Sequence, residues 1–338
     1  MAALAWAPLL GYAVCGLVLL GLIRLRGRLF VRLGVRLCVH LPLDHPNERS
    51  LHVRPVPRVG GLGIASGVLV ATLWLRPAGL EWLLAMALFL AGLSWLDDVR
   101  GLSVRVRLPA HLLAAGVFLA LAGETNLLVW LPGVLAMVWM TNLYNFMDGS
   151  DGLAGGMAVA GFGAYGVAAW MGGGMDVALL CLAIVGAALA FLHFNFPPAR
   201  LFLGDSGSIP LGFLAAGLGW MGIRDGLWSI WFPVLVFSPF IVDASVTMLA
   251  RLWRGEPIWQ AHRSHYYQRL VRMGLSHRQL ALMEYVVMAG AALSGLAWVI
   301  WPEMEWEMAW GMGMAWVLFY MLVMLRIDQR WRKAGHAH

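Results

Sequence analysis

Charge is what this sequence has least of. Only 12% of its 338 residues are charged and 61% are hydrophobic, whereas a soluble domain carries about twice that charge. An ordinary water-soluble globule is thereby excluded. Cysteine is scarce as well: Cys15, Cys38 and Cys181 lie in or beside apolar segments at no metal-ligand spacing. Neither a disulfide framework nor a zinc site is expected, and the thiols read as packing residues. No basic residue precedes the first apolar segment, while Arg24, Arg26 and Arg28 follow it, the reverse of a secretory signal peptide. The chain shows no internal repeat, low-complexity run or soluble domain.

What is present is a series of apolar segments long enough to cross a hydrocarbon core of about 30 Å. They lie near 4–23, 59–75, 79–96, 108–122, 126–146, 152–172, 175–195, 207–222, 226–250, 281–301 and 305–325, with 108–122 and 207–222 the shortest. The expected fold is all-α: one polytopic membrane domain over residues 1–338 with about eleven transmembrane helices. Let the segments alternate across the membrane from an outside N-terminus. Of the 24 Lys and Arg, only Arg76 and Arg224 then fall outside, leaving 22 within, and all ten histidines join them. Basic residues collect on the cytoplasmic side, so the N-terminus is expected outside and the C-terminus inside. So basic an inner face attracts anionic lipid headgroups, phosphates or nucleotides. Nucleic acid is not expected.

The chemistry-bearing residues sit in the inner connections 24–58, 97–107, 145–152, 195–208 and 251–280. Within Asn142-Leu143-Tyr144-Asn145-Phe146-Met147-Asp148-Gly149-Ser150-Asp151-Gly152, two amides and two carboxylates fall in ten residues at a membrane border. There they need water, metal or a polar ligand. Asn142, Asn145 and Asp148 share a face if the helix continues that far. Hard oxygens beside flexible backbone suit Mg²⁺ with a phosphorylated substrate; a polar connector with an Asp-Gly turn is the competing reading.

The first inner loop, Asp44 to Gly61, is rich in proline and basic groups, so it is expected to be extended. It enters the second span through Gly60-Gly61, which lets backbone approach a ligand. Residues 24–40 read as a basic amphipathic stretch on the headgroups. The adjacent Asp97 and Asp98 repel each other and imply a cation, either metal or one of the following arginines, Arg100, Arg105 and Arg107. Gly204-Asp205-Ser206-Gly207-Ser208 ahead of an apolar helix offers a phosphate or metal-phosphate cradle, or an ordinary helix cap. His262 and His265, three apart, would share a helix face and suit phosphate contacts with Arg263 better than a hydrolytic zinc site. Asp243, inside the ninth segment, is functional or paired.

No one of these motifs is specific, but their order is. From about residue 44 to 270 the chain resembles the polyprenyl-phosphate N-acetylhexosamine-1-phosphate transferase superfamily. The resemblance rests on the Pro57-Arg58-x-Gly60-Gly61 run, Asp97-Asp98, the Asn142-to-Gly152 stretch, Asn195 to Gly207, Asp243 and the His262/His265 pair. Helical membrane enzymes of this kind move a sugar-1-phosphate from a UDP-N-acetylhexosamine to a polyprenyl phosphate such as undecaprenyl phosphate, with Mg²⁺ (Mn²⁺ as a substitute) and release of UMP.

The resemblance implies metal at Asn145 and Asp205, and catalytic roles for Asp97, Asp98, Asp148, Asp205, His262 and His265. It implies substrate contacts from Arg58, Asn142, Asp151, Asn195 and Phe202, with Phe202 stacking on the base, while the placement of the basic loops adds Arg105 and Arg107 for the lipid phosphate and Arg263 for the nucleotide. It also implies a multi-pass protein of the bacterial cytoplasmic membrane; an oligomer is left open. The acidic motif departs from the superfamily's Asp-Asp-x-x-Asp form, ending in Gly101, and Arg105 stands where lysine is common. The histidine loop looks more like the branch that initiates O-antigen and related glycans than the muramoyl-pentapeptide branch. A lipid phosphate is largely dianionic at neutral pH, with a second pKa of about 6. A proton acceptor at Asp97 or Asp98 is therefore not obligatory, and a role in positioning is equally open. The rival class, a transporter for an anionic solute, predicts pseudo-repeats and midplane charges that the sequence does not offer.

Overall fold

The structure is a computed structural model, and it describes residues 2–25, 42–44, 55–257, 262–301 and 306–335. Long apolar runs leave the backbone no water to bond with, so it bonds to itself as helix. These are α1 Ala2–Leu25, α2 Gly60–Leu75, α3 Glu81–Arg100, α4 Val104–Leu121, α5 Leu127–Phe146, α6 Leu153–Met171, α7 Met175–Asn195, α8 Asp205–Arg224, α9 Trp231–Val236, α10 Ser238–Trp253, α11 Tyr266–Arg272, α12 His277–Ile300 and α13 Trp306–Lys333. Two short strands, β1 Leu43–Asp44 and β2 Val56–Pro57, pair antiparallel. This matches the extended loop expected around residue 44. The remainder of that loop, the 26–40 stretch and Cys38 lie outside the described residues.

Among the described residues, nine helices are long and apolar enough to cross a membrane: α1, α3 to α8, α12 and α13. The chain is a polytopic membrane protein. Helix α2 is shorter, at 16 residues. The segment expected as one span over 226–250 is broken at Phe237 into α9 and α10. Pro239 at the start of α10 has no N–H to continue the ladder, so the break falls where the sequence cannot hydrogen-bond through it. Segments 108–122 and 207–222 are longer than expected, because α4 and α8 run 18 and 20 residues. Helix α3 continues through Arg100, so Asp97 and Asp98 stand in its last turn and not in a loop.

Helix α8 is the centre of the bundle, with 83% of its apolar window buried, and α13 is its rim, with 6%. Small residues set the spacing. Gly11 and Gly186 bring α1 and α7 into backbone contact, since a Cβ on either would run into the main chain of Ala183 or Pro8. At one end of the bundle Gly61 and Gly207 meet in the same way, seating the start of α2 on the first turn of α8. A bulky residue should separate such a pair. Gly186→Leu is expected to destabilise the protein by about 1–3 kcal/mol or more through overpacking, while Gly21→Leu, with open space beside it, should be neutral. Thermal melting of both variants in one detergent checks this.

Candidate active site

Every residue singled out for chemistry lies at the end of the bundle where α3, α5 and α7 finish and α4, α6 and α8 begin. The local chain explains why. Gly204, at φ 75°, turns the backbone sharply into α8. It frees the amides of Asp205 and Ser206, which both donate to Asp98 at 3.3 and 3.0 Å. The Asp98 side chain is 1% exposed; a carboxylate on a helix N-terminus is favoured by the helix dipole as well as by these bonds. Gly60 and Gly61 donate to the carbonyls of Phe202 and Leu203 at 2.9 and 2.8 Å, and Phe202 donates to Pro57 at 2.8 Å. The 55–61 and 201–205 segments therefore travel together.

Around this junction the acids and cations alternate. Arg107 Nη1 donates to Asp97 at 2.9 Å and to Asp205 at 3.3 Å. Arg58 donates to Asp44 at 2.6 Å and lies 3.9 Å from Asp98. Asn145 Nδ2 donates to Asp205 and to Ser208, each at 2.9 Å, and its side-chain oxygen accepts nothing from the described residues. Burial works against the Arg58 cation, but Asp44, Asp98 and Asp205 outweigh it and raise its pKa. Asp148 makes no side-chain hydrogen bond with the described residues; burial first, then the like charges of Asp205 and Asp98, hold its carboxyl well above the usual range.

The described residues contain no set of three or more His, Cys, Asp or Glu side chains arranged to hold a metal by themselves. Mg²⁺ does not require one, since it takes one or two carboxylates and completes its shell with water and substrate phosphate. Hard oxygens are what this end offers. Asp205, the free oxygen of Asn145 and the unbonded carboxyl of Asp148 fit that ion.

The profile of Glycosyl transferase family 4 matches residues 80–223. A Bacillus subtilis protein named as a probable undecaprenyl-phosphate N-acetylglucosaminyl 1-phosphate transferase is 31% identical over 72% of this chain and 74% of its own. The chain belongs to glycosyl transferase family 4. A phospho-N-acetylmuramoyl-pentapeptide-transferase of Geobacillus kaustophilus is 32% identical over 72% of this chain and 84% of its own. An undecaprenyl-phosphate alpha-N-acetylglucosaminyl 1-phosphate transferase of Yersinia pestis is 28% identical over 90% and 89%.

Within this family 4 chain the expected residues divide. Asp97, Asp98, Asp205, Asn145, Arg58 and Arg107 are joined directly, and Asp148 faces them. Helix α5 ends at Phe146, so Asp148 does not extend the Asn142–Asn145 face. Asn142 donates to Val138 at 2.7 Å and lies 3.3 Å from His111, a residue the sequence reading passed over. Arg105 is exposed in the first turn of α4 and has no partner among the described residues; Arg107, half a turn on, takes the place among the acids. Asn195 is buried with both ends of its amide occupied, accepting from Gly152 at 2.8 Å and donating to Leu201 at 3.0 Å. Asp151 accepts from Ala199 at 2.9 Å and lies 3.7 Å from His277. Both residues hold loops together. Phe202 stands across the chain from Arg58.

The histidines do not share a helix face, because α11 starts only at Tyr266 with His265 as its cap. Their rings stack instead, 4.9 Å apart. Burial, then the neighbouring His265, takes the His262 pKa down to about 4, so at neutral pH this ring has no charge to offer a phosphate. Arg263 supplies a cation in this loop. His265 is buried with Nδ1 3.1 Å from Asp243, which also accepts from Tyr266 N, Tyr267 N and Thr247 Oγ1 at 3.0, 2.9 and 3.2 Å. The intramembrane acid is therefore paired. Tyr267 in turn donates to the Phe146 carbonyl at 3.0 Å, tying α11 to the end of α5. From the far side Arg269 donates to Asp328 at 2.7 Å, and the Trp331 ring lies 5.8 and 4.6 Å from the Arg269 and Arg272 guanidinium carbons. The last helix thus clamps the histidine loop.

Replacing Asp243 by Asn would turn an amide N–H₂ toward donors already facing the site, at a cost of about 1–3 kcal/mol; thermal melting of Asp243→Asn should show the loss. His262 gives a signed pH effect. Its native pKa lies below the value of about 6.5 of an unfolded histidine, so the unfolded chain binds more protons between the two. Stability therefore falls as pH drops from 6.5 toward 4. Melting temperature against pH should decline less steeply in His262→Gln than in the parent.

Proposed function

We propose that this chain transfers an N-acetylhexosamine-1-phosphate from a UDP-sugar to undecaprenyl phosphate, releasing UMP and starting a lipid-linked glycan at the cytoplasmic face of the bacterial inner membrane. One observation carries the reading. Among the described residues, five acids, Asp44, Asp97, Asp98, Asp148 and Asp205, gather at the membrane border around Arg58 and Arg107. Such an acid excess repels phosphates unless a divalent cation offsets it, which is the requirement of a magnesium-dependent phosphoryl transferase. The names of the family relatives support the same substrates.

In the reaction an oxygen of the lipid phosphate attacks the β-phosphorus of the UDP-sugar. The bond from that phosphorus to the bridging oxygen breaks, and UMP departs with the electron pair. Mg²⁺ held by Asp205 and Asn145, with Asp148 beside them, would neutralise charge on the pyrophosphate. Arg107 and Arg58 keep guanidinium donors beyond those spent on Asp97 and Asp44, and a planar fork suits phosphate oxygens. Asp97 and Asp98 act by fixing Arg107 and the α8 amides, a positioning role that leaves the dianionic acceptor to attack unaided. Arg263 meets the nucleotide from the cytoplasm, Phe202 stacks on its base, and His262 and His265 shape the loop that carries Arg263. Arg105 is a headgroup contact outside the acid cluster. The branch is the one that starts O-antigen and related glycans.

Membranes containing the protein, given labelled UDP-N-acetylglucosamine and undecaprenyl phosphate, should form a lipid-linked product; absence of product with every UDP-N-acetylhexosamine would refute the reading. Asp205→Asn should lower turnover at least about hundredfold in a folded protein. Arg107→Lys, which keeps charge but loses the fork, should raise the acceptor KM about tenfold. Eleven crossings with the N-terminus outside follow from the distribution of basic residues. Single cysteines at 262 and beyond 325 should then label only from the cytoplasm, and those at 224 and 303 only from outside.

A further inference from the structure

The carboxyl of Asp148 takes no hydrogen bond from the described residues, so whatever directs it toward Asp205 and Asp98 acts on the main chain that carries it. That main chain is the turn between the end of α5 at Phe146 and the start of α6 at Leu153. Its two edges are held from outside. Tyr267 donates to the Phe146 carbonyl at 3.0 Å on one side, and Tyr285 donates to the Gly152 carbonyl at 2.8 Å on the other. Between those edges Gly149 and Gly152, the latter at φ 78°, bracket Ser150 and Asp151 and give the stretch little stiffness of its own.

What fastens the middle of the turn is His277, the first residue of α12. Its Nδ1 lies 2.9 Å from Ser150 Oγ and 3.3 Å from Asp151 N. A backbone N–H can only donate, so Nδ1 carries the lone pair, the ring proton sits on Nε2, and the Ser150 hydroxyl is the second donor. Ser150 is buried, so water is a poor substitute for that acceptor. The Asp151 carboxylate does not take its place: Oδ2 accepts from Ala199 N at 2.9 Å, and Oδ1, 3.7 Å from the ring, is beyond hydrogen-bond reach.

We infer that His277 is a positioning residue of the magnesium site. Its Nδ1 gathers the Ser150 hydroxyl and the Asp151 amide onto one atom, and so holds the turn with the Asp148 carboxyl toward Asp205. The inference rests on the proposed magnesium-dependent transfer. His277 touches neither substrate nor metal; it acts through Ser150, two residues along from Asp148. The helix that follows the histidine loop thereby sets the geometry of an acid on the opposite side of the site, and orientation from outside the ligand shell governs how well such a ligand binds.

The test is Mn²⁺ binding to the purified full-length protein, read by electron paramagnetic resonance and independent of turnover. His277→Leu removes the acceptor and should weaken Mn²⁺ binding about tenfold, the effect of losing an outer-shell partner. His277→Asn, whose Oδ1 falls where Nδ1 lies, should bind as the parent does. Ser150→Ala leaves the Asp151 amide in place and should weaken binding by a smaller factor, which covers a His277→Leu protein that fails to fold. Asp148→Asn combined with His277→Leu should bind no more weakly than Asp148→Asn alone, because a residue acting through Asp148 then has nothing left to place. Unchanged binding in both His277→Leu and Ser150→Ala, a further loss in the double variant, or no recovery in His277→Asn would overturn the inference, as would a parent that binds no Mn²⁺. A parent that binds Mn²⁺ with this coupling but forms no lipid-linked product would refute the proposed reaction and leave the role of His277 standing.

Discussion

The bundle's working end depends on the buried Asp98 carboxylate accepting the first two amides of α8. A carboxylate taken out of water is costly unless donors surround it, and an N-terminal helical turn supplies donors and a favourable dipole together. This contact fixes the end of α3 against the start of α8. Asn145 and Arg107 then find Asp205 at hydrogen-bond distance, and the Gly61–Gly207 contact aligns α2 with the same turn. The electrostatics follow from the same geometry, since seating one acid on α8 forces Asp97, Asp148 and Asp205 into mutual repulsion. Among the described residues, Arg58 and Arg107 relieve part of it. The remainder is an affinity for cations, created by packing.

Two kinds of support hold the site, and they differ in stiffness. The half around the start of α8 is built from helix ends locked by backbone contact, where movement would require main chain to pass through main chain. The other half, from His262 to Arg269, is a loop and a seven-residue helix fastened by side chains: Asp243 beneath, Tyr267 to α5, and Arg269 to α13. Adaptable recognition of a nucleotide belongs on the second kind of support. Strict positioning of a phosphate belongs on the first.

Much of this was legible in the sequence, because scarcity of charge and the length of apolar runs determine the helices directly. The order of the acidic motifs was enough to gather Asp97, Asp98, Asn145 and Asp205 at one end. What was not legible depended on where helices stop and on which neighbour a side chain meets. Extending α5 past Phe146 would have put Asp148 on the face of Asn145; treating 262–265 as helical gave His262 and His265 a common face they do not have. Arg105 and Arg107 are equivalent by composition, and only the packing of α4 against α3 selects Arg107. Asn195 and Asp151 carry the polar groups a substrate contact needs, but both bond to neighbouring loops, a partnership set by distant backbone. The break at Phe237 was written in Pro239 yet hidden by the hydrophobicity on either side.

The clamp from α13 bears on how the protein is made. Synthesis runs from the N-terminus, so the acid cluster, complete by Ser208, has all its members well before Asp328 and Trp331 exist. The histidine loop is the last part of the site to receive its support, because α13 emerges after every helix that builds the acid cluster. A nascent chain therefore has its acid cluster in place while the histidine loop is still unfastened, which ties maturation of that loop to the emergence of α13.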